Sequence, residues 1–147
     1  MKDLIIMSCS RTKKNLENVP AMDLYDGQAY RVIKKSAPEN VEILIISAKY
    51  GLIRSTDVIS QYEQLMTVSR AVEIRKEVSE GITNIVSNEN ITRTFVSLGF
   101  PYNHAVSPDL MRFLDGTSNL QVADGPIGKR LHQLKEWLKP LKAEAMK

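Results

Sequence analysis

The chain has 147 residues, 43% of them hydrophobic and 25% charged, which fits a single domain over residues 1–147 with its own core. No stretch approaches the roughly 20 apolar residues that span a bilayer, and the apolar run near the N-terminus is too short for a secretory signal, so a cytoplasmic protein without membrane contact is expected. The formal charge of +3 falls short of the dense Lys/Arg coverage of a duplex-DNA binder, and Cys9, the only cysteine, excludes an intrachain disulfide, a thiolate zinc cage and a CxxC pair.

In chain order, residues 4–7 form the first short apolar run and predict a strand that opens into the polar turn Ser8–Lys14. Residues 22–36 carry Leu24, Ala29, Tyr30 and Ile33 at helical spacing, and Pro38 stops that helix. Residues 41–46 predict the second strand. The link over residues 51–68 has no clear periodicity, and a run of that length inside a small domain predicts a lid or insertion folded over the site. Residues 69–88 read as the clearest amphipathic helix, with Ser69 as N-cap, Val72, Ile74, Val78, Ile82, Ile85 and Val86 on or near its buried side, and Gly81 as a local weakness. Residues 94–98 predict a third strand. Ser107 followed by Pro108 predicts an N-cap and first turn of a helix through residue 113. Residues 120–123 predict the fourth strand, and residues 127–139 a final helix with Leu131, Leu134, Trp137 and Leu138 as its stripe, kinking or ending at Pro140.

The strand runs are almost continuously apolar and rich in β-branched residues, the pattern of a sheet buried on both faces. With helices between them, the expected fold is α/β: a three-layer sandwich with a mainly parallel four-stranded sheet and flanking helices. In such sheets ligands bind beyond the carboxyl ends of the strands. Four turns are therefore candidates.

The turn after the first strand holds Ser8, Cys9, Ser10 and Lys13, hydroxyls and a cation suited to a phosphate or carboxylate, although Cys9 also reads as a small core residue. The turn after the second holds Ser47, Lys49, Tyr50 and Gly51; Lys49 suits an amine nucleophile or base if desolvated, or an anion contact if not, and Tyr50 suits stacking on a planar base. The third carries Gly99, Tyr102 and His104. The fourth places Gly125 and Gly128 at a helix N-terminus beside Lys129 and Arg130, which reads equally as an anion site and as an ordinary turn. No metal site or cofactor is expected, because His104 and His132 are not at ligand spacing. Glu63, after Tyr62 on the expected lid, is a candidate for positioning water, together with Asp23, Asp26 and Asp57.

The series Ser8-Cys9-Ser10 with Lys13, Asp23-Leu24-Tyr25 with Tyr30-Arg31, and Ser47-Ala48-Lys49-Tyr50-Gly51-Leu52 with Tyr62 resembles a family of small bacterial and phage α/β proteins of unknown function. That family is similar to the lysine-transferring domain of archaeosine synthase and, more remotely, to the peroxide-stress protein YaaA and the uracil-DNA glycosylase type of fold. Cys9 and Lys13 match the cysteine–lysine spacing of the synthase domain, while Lys14-Asn15 replaces its following Pro-Tyr. The resemblance implies a nucleotide, nucleobase or nucleic-acid partner.

The expectation is thus a nucleobase- or nucleotide-directed enzyme that cleaves an N-glycosidic bond or transfers a group to a modified base. Lys49, Lys13 and Glu63 are the candidate catalytic groups. Ser8, Cys9, Ser10, Tyr25, Tyr30, Arg31, Ser47, Tyr50, Gly51, Tyr62, Gly99, Tyr102, Gly125 and Gly128 are the candidate binding residues. The alternative is a non-catalytic module for a nucleotide or single-stranded nucleic acid; the oligomeric state is not legible.

Overall fold

Strand β1, Lys2–Ser8, occupies the middle of the sheet because every side chain from Asp3 to Met7 is buried, which only a strand with neighbours on both edges and both faces permits. The computed structural model describes residues 2–36 and 38–145. After β1 come β2 (Val19–Pro20), α1 (Ala21–Leu24), α2 (Gln28–Ser36), β3 (Val41–Ser47), β4 (Gly51–Arg54), β5 (Val58–Ile59), α3 (Val68–Asn88), β6 (Ile91–Ser97), a 3-10 turn (Tyr102–Ala105), α4 (Pro108–Thr117), β7 (Asn119–Val122) and α5 (Ile127–Ala145). No helix among the described residues is long and apolar enough to cross a membrane.

The main sheet has five strands in the order β4-β3-β1-β6-β7, one more than the expected four. β3, β1, β6 and β7 are parallel, and β4 runs antiparallel to β3 with Ser47 paired to Gly51. Only Ala48, Lys49 and Tyr50 separate β3 from β4, a connection that closes a hairpin and is far too short for a parallel crossover. Gly51 takes φ +75, which an L side chain rarely adopts, and so completes the turn. The expected link over residues 51–68 therefore begins as a sheet strand; β5 then pairs antiparallel with β2, and residues 60–67 have no regular structure.

Alternate residues feed two cores. Ile5, Met7, Ile43, Ile45 and Phe95 join Leu24, Tyr30 and Ile33 of the α1–α2 region and Leu134, Trp137 and Leu138 of α5. Leu4, Ile6, Leu44, Ile46 and Val96 join Ile74, Val78 and Ile82 of α3 and Leu110 and Leu114 of α4. On the first face Arg93 pairs with the buried Asp3 at 3.2 Å and lies 4.1 Å from the Trp137 ring, tying β1, β6 and α5 together.

Several helix boundaries differ from expectation. The helix expected over residues 22–36 is broken at Tyr25, whose extended backbone bridges Lys13, and at Gly27, where a Cβ would stand 2.5 Å from Ser10 Oγ. Helix α3 is capped by Thr67, which accepts from the Arg70 amide, rather than by Ser69. Val72 is 47% exposed and Ala71 takes the buried position instead. Gly81 has a packing role, since a Cβ there would meet Leu52 Cδ2 of β4 at 2.5 Å. Ser107 caps α4 as expected, but that helix runs on to Thr117, and α5 continues past Pro140 to Ala145.

Candidate functional site

The chain leaves β1 toward the face of α1 and α2 to reach β3, and leaves β6 toward the face of α4 to reach β7, on the opposite side of the sheet. The loops after β1 and β6 therefore part, and a crevice opens between them, the topological switch point at which open α/β sheets hold ligands. A cavity of about 620 Å³ lies there. Its floor is formed by Ile5, Met7 and Phe95, its sides by Ser8, Cys9, Ser10, Arg11 and Thr12 after β1 and by Ser97, Gly99, Phe100, Pro101 and Tyr102 after β6. The start of α2 (Gly27, Gln28, Ala29), Leu65 and Met66, and the first turns of α5 (Ile127, Arg130, Leu131) complete the walls.

The charged side chains of this lining are Arg11 and Arg130; no acid or histidine is among the residues that line it. Arg130 is held by its Nε on the Gly125 carbonyl at 3.3 Å and by Nη1 on Ser97 Oγ at 3.3 Å, and Gly99 lets it lie close, since a Cβ there would be 3.0 Å from Nη2. Ser10 is buried against Gly27, and its hydroxyl finds no protein partner among the described residues. Cys9 shares a hydrogen bond of 3.1 Å with the Tyr102 hydroxyl, and the Tyr30 hydroxyl donates to the Ser8 carbonyl at 2.7 Å. The mouth is apolar: Phe100 is 76% exposed, Ile127 72% and Leu65 68%.

Beside the cavity, under the carboxyl ends of β1 and β3, lies a tyrosine cluster. The hydroxyls of Tyr25 and Tyr62 meet at 2.6 Å, Tyr62 reaches Ser47 Oγ at 2.8 Å, and Ser47 Oγ in turn accepts from the Tyr50 amide at 3.1 Å. Burial pushes the Tyr25 hydroxyl up to about 12 and raises those of Tyr30, Tyr62 and Tyr102 as well, because a phenolate would lose its hydration there. These hydroxyls stay protonated at neutral pH and act as hydrogen-bonding groups, not bases.

Of the residues singled out in the sequence, Ser8, Cys9, Ser10, Tyr30, Gly99 and Tyr102 line the cavity. Tyr25, Ser47, Tyr50 and Tyr62 form the neighbouring cluster, and the ammonium groups of Lys13 and Lys49 lie over its rings. Glu63 is exposed and outside the cavity lining, and Arg31 is taken up by a two-pronged pair with Asp26. Gly51 serves the β3–β4 turn, Gly125 takes φ +88 before α5, and Gly128 faces open space. Arg130, read beside Gly128 as part of an anion site or an ordinary turn, lines the cavity, and Ser97, Gly27 and Leu65 join it without having stood out; Ser97, level with Met7 at the end of β6, was findable by comparing strand ends. Among the described residues no group of three or more His, Cys, Asp and Glu is placed to hold a metal ion.

Residues 4–136 match a family of unknown function (DUF6884), and the chain belongs to that family. No curated protein matches the chain.

Proposed function

We propose that this family member binds a nucleotide in the crevice between the β1 and β6 loops. The observation that carries the reading is the polarity of the cavity, in which two arginines and a set of hydroxyls face a largely apolar chamber whose mouth exposes Phe100, Leu65 and Ile127. A phosphate meets Arg130, Ser10 and Ser97 through charge-assisted hydrogen bonds, and a base lies against the Phe100 ring and its apolar neighbours. The resemblance to the lysine-transferring domain of archaeosine synthase, to YaaA and to the glycosylase type of three-layer fold points to the same ligand class.

Calorimetric titration with nucleoside monophosphates, the matching nucleosides and inorganic phosphate tests this. The monophosphate should bind more tightly than either fragment, and Arg130→Gln should weaken it by about tenfold or more, the worth of a hydrogen bond to a charged group. Absence of binding by all three would sink the reading.

Turnover is the second reading, favoured by the Cys9 sulfur at the cavity wall, 3.1 Å from the Tyr102 hydroxyl. There the thiol would form a bond to the sugar carbon as the N-glycosidic bond breaks, its proton passing by way of the Tyr102 hydroxyl to the departing base nitrogen, and water would then release the sugar from the sulfur. Product released by the protein and abolished in Cys9→Ala would establish it; bound ligand recovered intact after prolonged incubation would leave the binding module.

A further inference from the structure

Two cations next to the crevice have no part in holding a single nucleotide. Lys13 Nζ lies 4.5 Å from the centroid of the Tyr62 ring, and Lys49 Nζ lies 5.9 Å from the same centroid and 5.3 Å from that of Tyr50. Neither ammonium has a carboxylate within ion-pair distance among the described residues, and Glu63, although next to Tyr62, pairs with neither. Ring contacts of this kind are worth only about 0.5–1 kcal/mol at exposed sites and leave the positive charge uncompensated. Two such cations beside one ring therefore favour an anion nearby.

Their position relative to the cavity gives the anion its context. Lys13 directly follows the cavity residue Thr12, and Tyr62, whose ring it overlies, precedes the cavity residue Leu65 by three positions, at most about 10 Å of chain. Both cations therefore stand near the crevice but outside its lining. A phosphate on them lies outside the chamber that holds the nucleotide, as a flanking phosphate of a strand would.

We propose that the bound nucleotide is one unit of a single-stranded nucleic acid, with flanking phosphates running along Arg11, Lys13 and Lys49. The inference rests on the nucleotide reading of the crevice and extends it to a polymeric substrate. Each phosphate neutralised on a single strand steepens the dependence of log K on log salt by about 0.7.

The test compares mononucleotides, nucleoside triphosphates and five-unit homopolymers of the four bases, in ribo and deoxy form, by calorimetry at two salt concentrations. The homopolymer of at least one base should bind about tenfold or more tighter than its monophosphate and its triphosphate. In the double variant Lys13→Gln and Lys49→Gln, which removes both charges and keeps part of each aliphatic stem, that advantage should fall about tenfold and the salt slope should become shallower by about 1.4. A melting temperature equal to that of the parent shows that the variant is folded; if it is not, the parent's ratio of homopolymer to triphosphate affinity decides alone. Equal affinities for monomer and homopolymer, a triphosphate as tight as the homopolymer, or an advantage unchanged in the folded variant would each overturn the inference while leaving the nucleotide reading intact. Failure of all three ligands would overturn both.

Discussion

Tyr25 and Tyr62 meet hydroxyl to hydroxyl at 2.6 Å, and this contact joins the short segment after α1 to the irregular stretch over residues 60–67. Because the same Tyr62 hydroxyl reaches Ser47 at the end of β3, one side chain fastens a segment without secondary structure to the sheet. Tyr62→Phe leaves two buried hydroxyls short of a partner and should cost about 1–2 kcal/mol. Tyr62→Ala, which also removes the buried ring, should cost about 3–5 kcal/mol. Urea unfolding reads both, and an unchanged midpoint in the Phe variant would show that the hydroxyl contact contributes nothing.

The tyrosine hydroxyls also fix the response to alkali. Burial raises Tyr25 from 10.0 to about 12 and moves Tyr30, Tyr62 and Tyr102 the same way. Between those values the unfolded chain has released protons that the native state retains, so the unfolded state binds fewer protons and stability falls as pH rises. The contribution is complete below pH 10 and, for Tyr25, is lost by about pH 12. Each such group steepens the fall by at most about 1.4 kcal/mol per pH unit. Unfolding followed by phenolate absorbance should start above pH 10 and be cooperative, and Tyr25→Phe should flatten the decline; gradual ionisation of all tyrosines at 10.0 without unfolding would contradict the burial argument.

Helix α3 supplies a local test, because two hydroxyl residues stand near its start. Thr67 caps the helix by accepting from the Arg70 amide at 3.1 Å, while Ser69 lies inside the first turn. Thr67→Ala should destabilise the protein by about 1 kcal/mol, whereas Ser69→Ala should be neutral or slightly favourable because alanine is the better helix former. Thermal denaturation of the two variants discriminates them. Equal losses would mean that the cap is shared.

What was legible in the sequence follows from which forces act locally. The runs that became β1 and β3 announced themselves because a strand covered on both faces must be apolar at every position, and Ser107-Pro108 announced a helix start because the cap bond lies within a few residues. Strand β4 did not, since its four residues draw their pairing from β3 and not from any period of their own. Ser8, Ser10 and Tyr102 were readable from their place after strands. Lys49 was readable as a residue leaving a buried strand, but not its direction: the hairpin to β4 carries it over Tyr50 and Tyr62 and outside the cavity lining. Arg130 was readable as a cation beside the turn before α5, but not its contact with Ser97, which follows from the long-range docking of α5 beside the end of β6.

Arg130 and Gly99 provide the sharpest separation between binding and folding. A Cβ at Gly99 would stand 3.0 Å from Arg130 Nη2 and 3.6 Å from its Cζ, so Gly99→Ala displaces the far end of a flexible side chain, not backbone. The fold should tolerate this, because the strain is small and alanine lowers the entropy of the unfolded chain. The guanidinium, however, must give by a few tenths of an ångström, which disturbs its 3.3 Å contact with Ser97 Oγ on the cavity wall. Gly99→Ala should therefore weaken nucleotide binding by roughly five- to twentyfold, about 1–2 kcal/mol of charge-assisted hydrogen bonding, at a nearly unchanged melting temperature. Gly128 is the control, for a Cβ there meets nothing within 4 Å and should leave binding intact while stabilising the first turn of α5 by a few tenths of a kcal/mol up to about 1. If Gly128→Ala lost affinity and Gly99→Ala did not, the phosphate would sit on the amides before α5 and the assignment to Arg130 would fall.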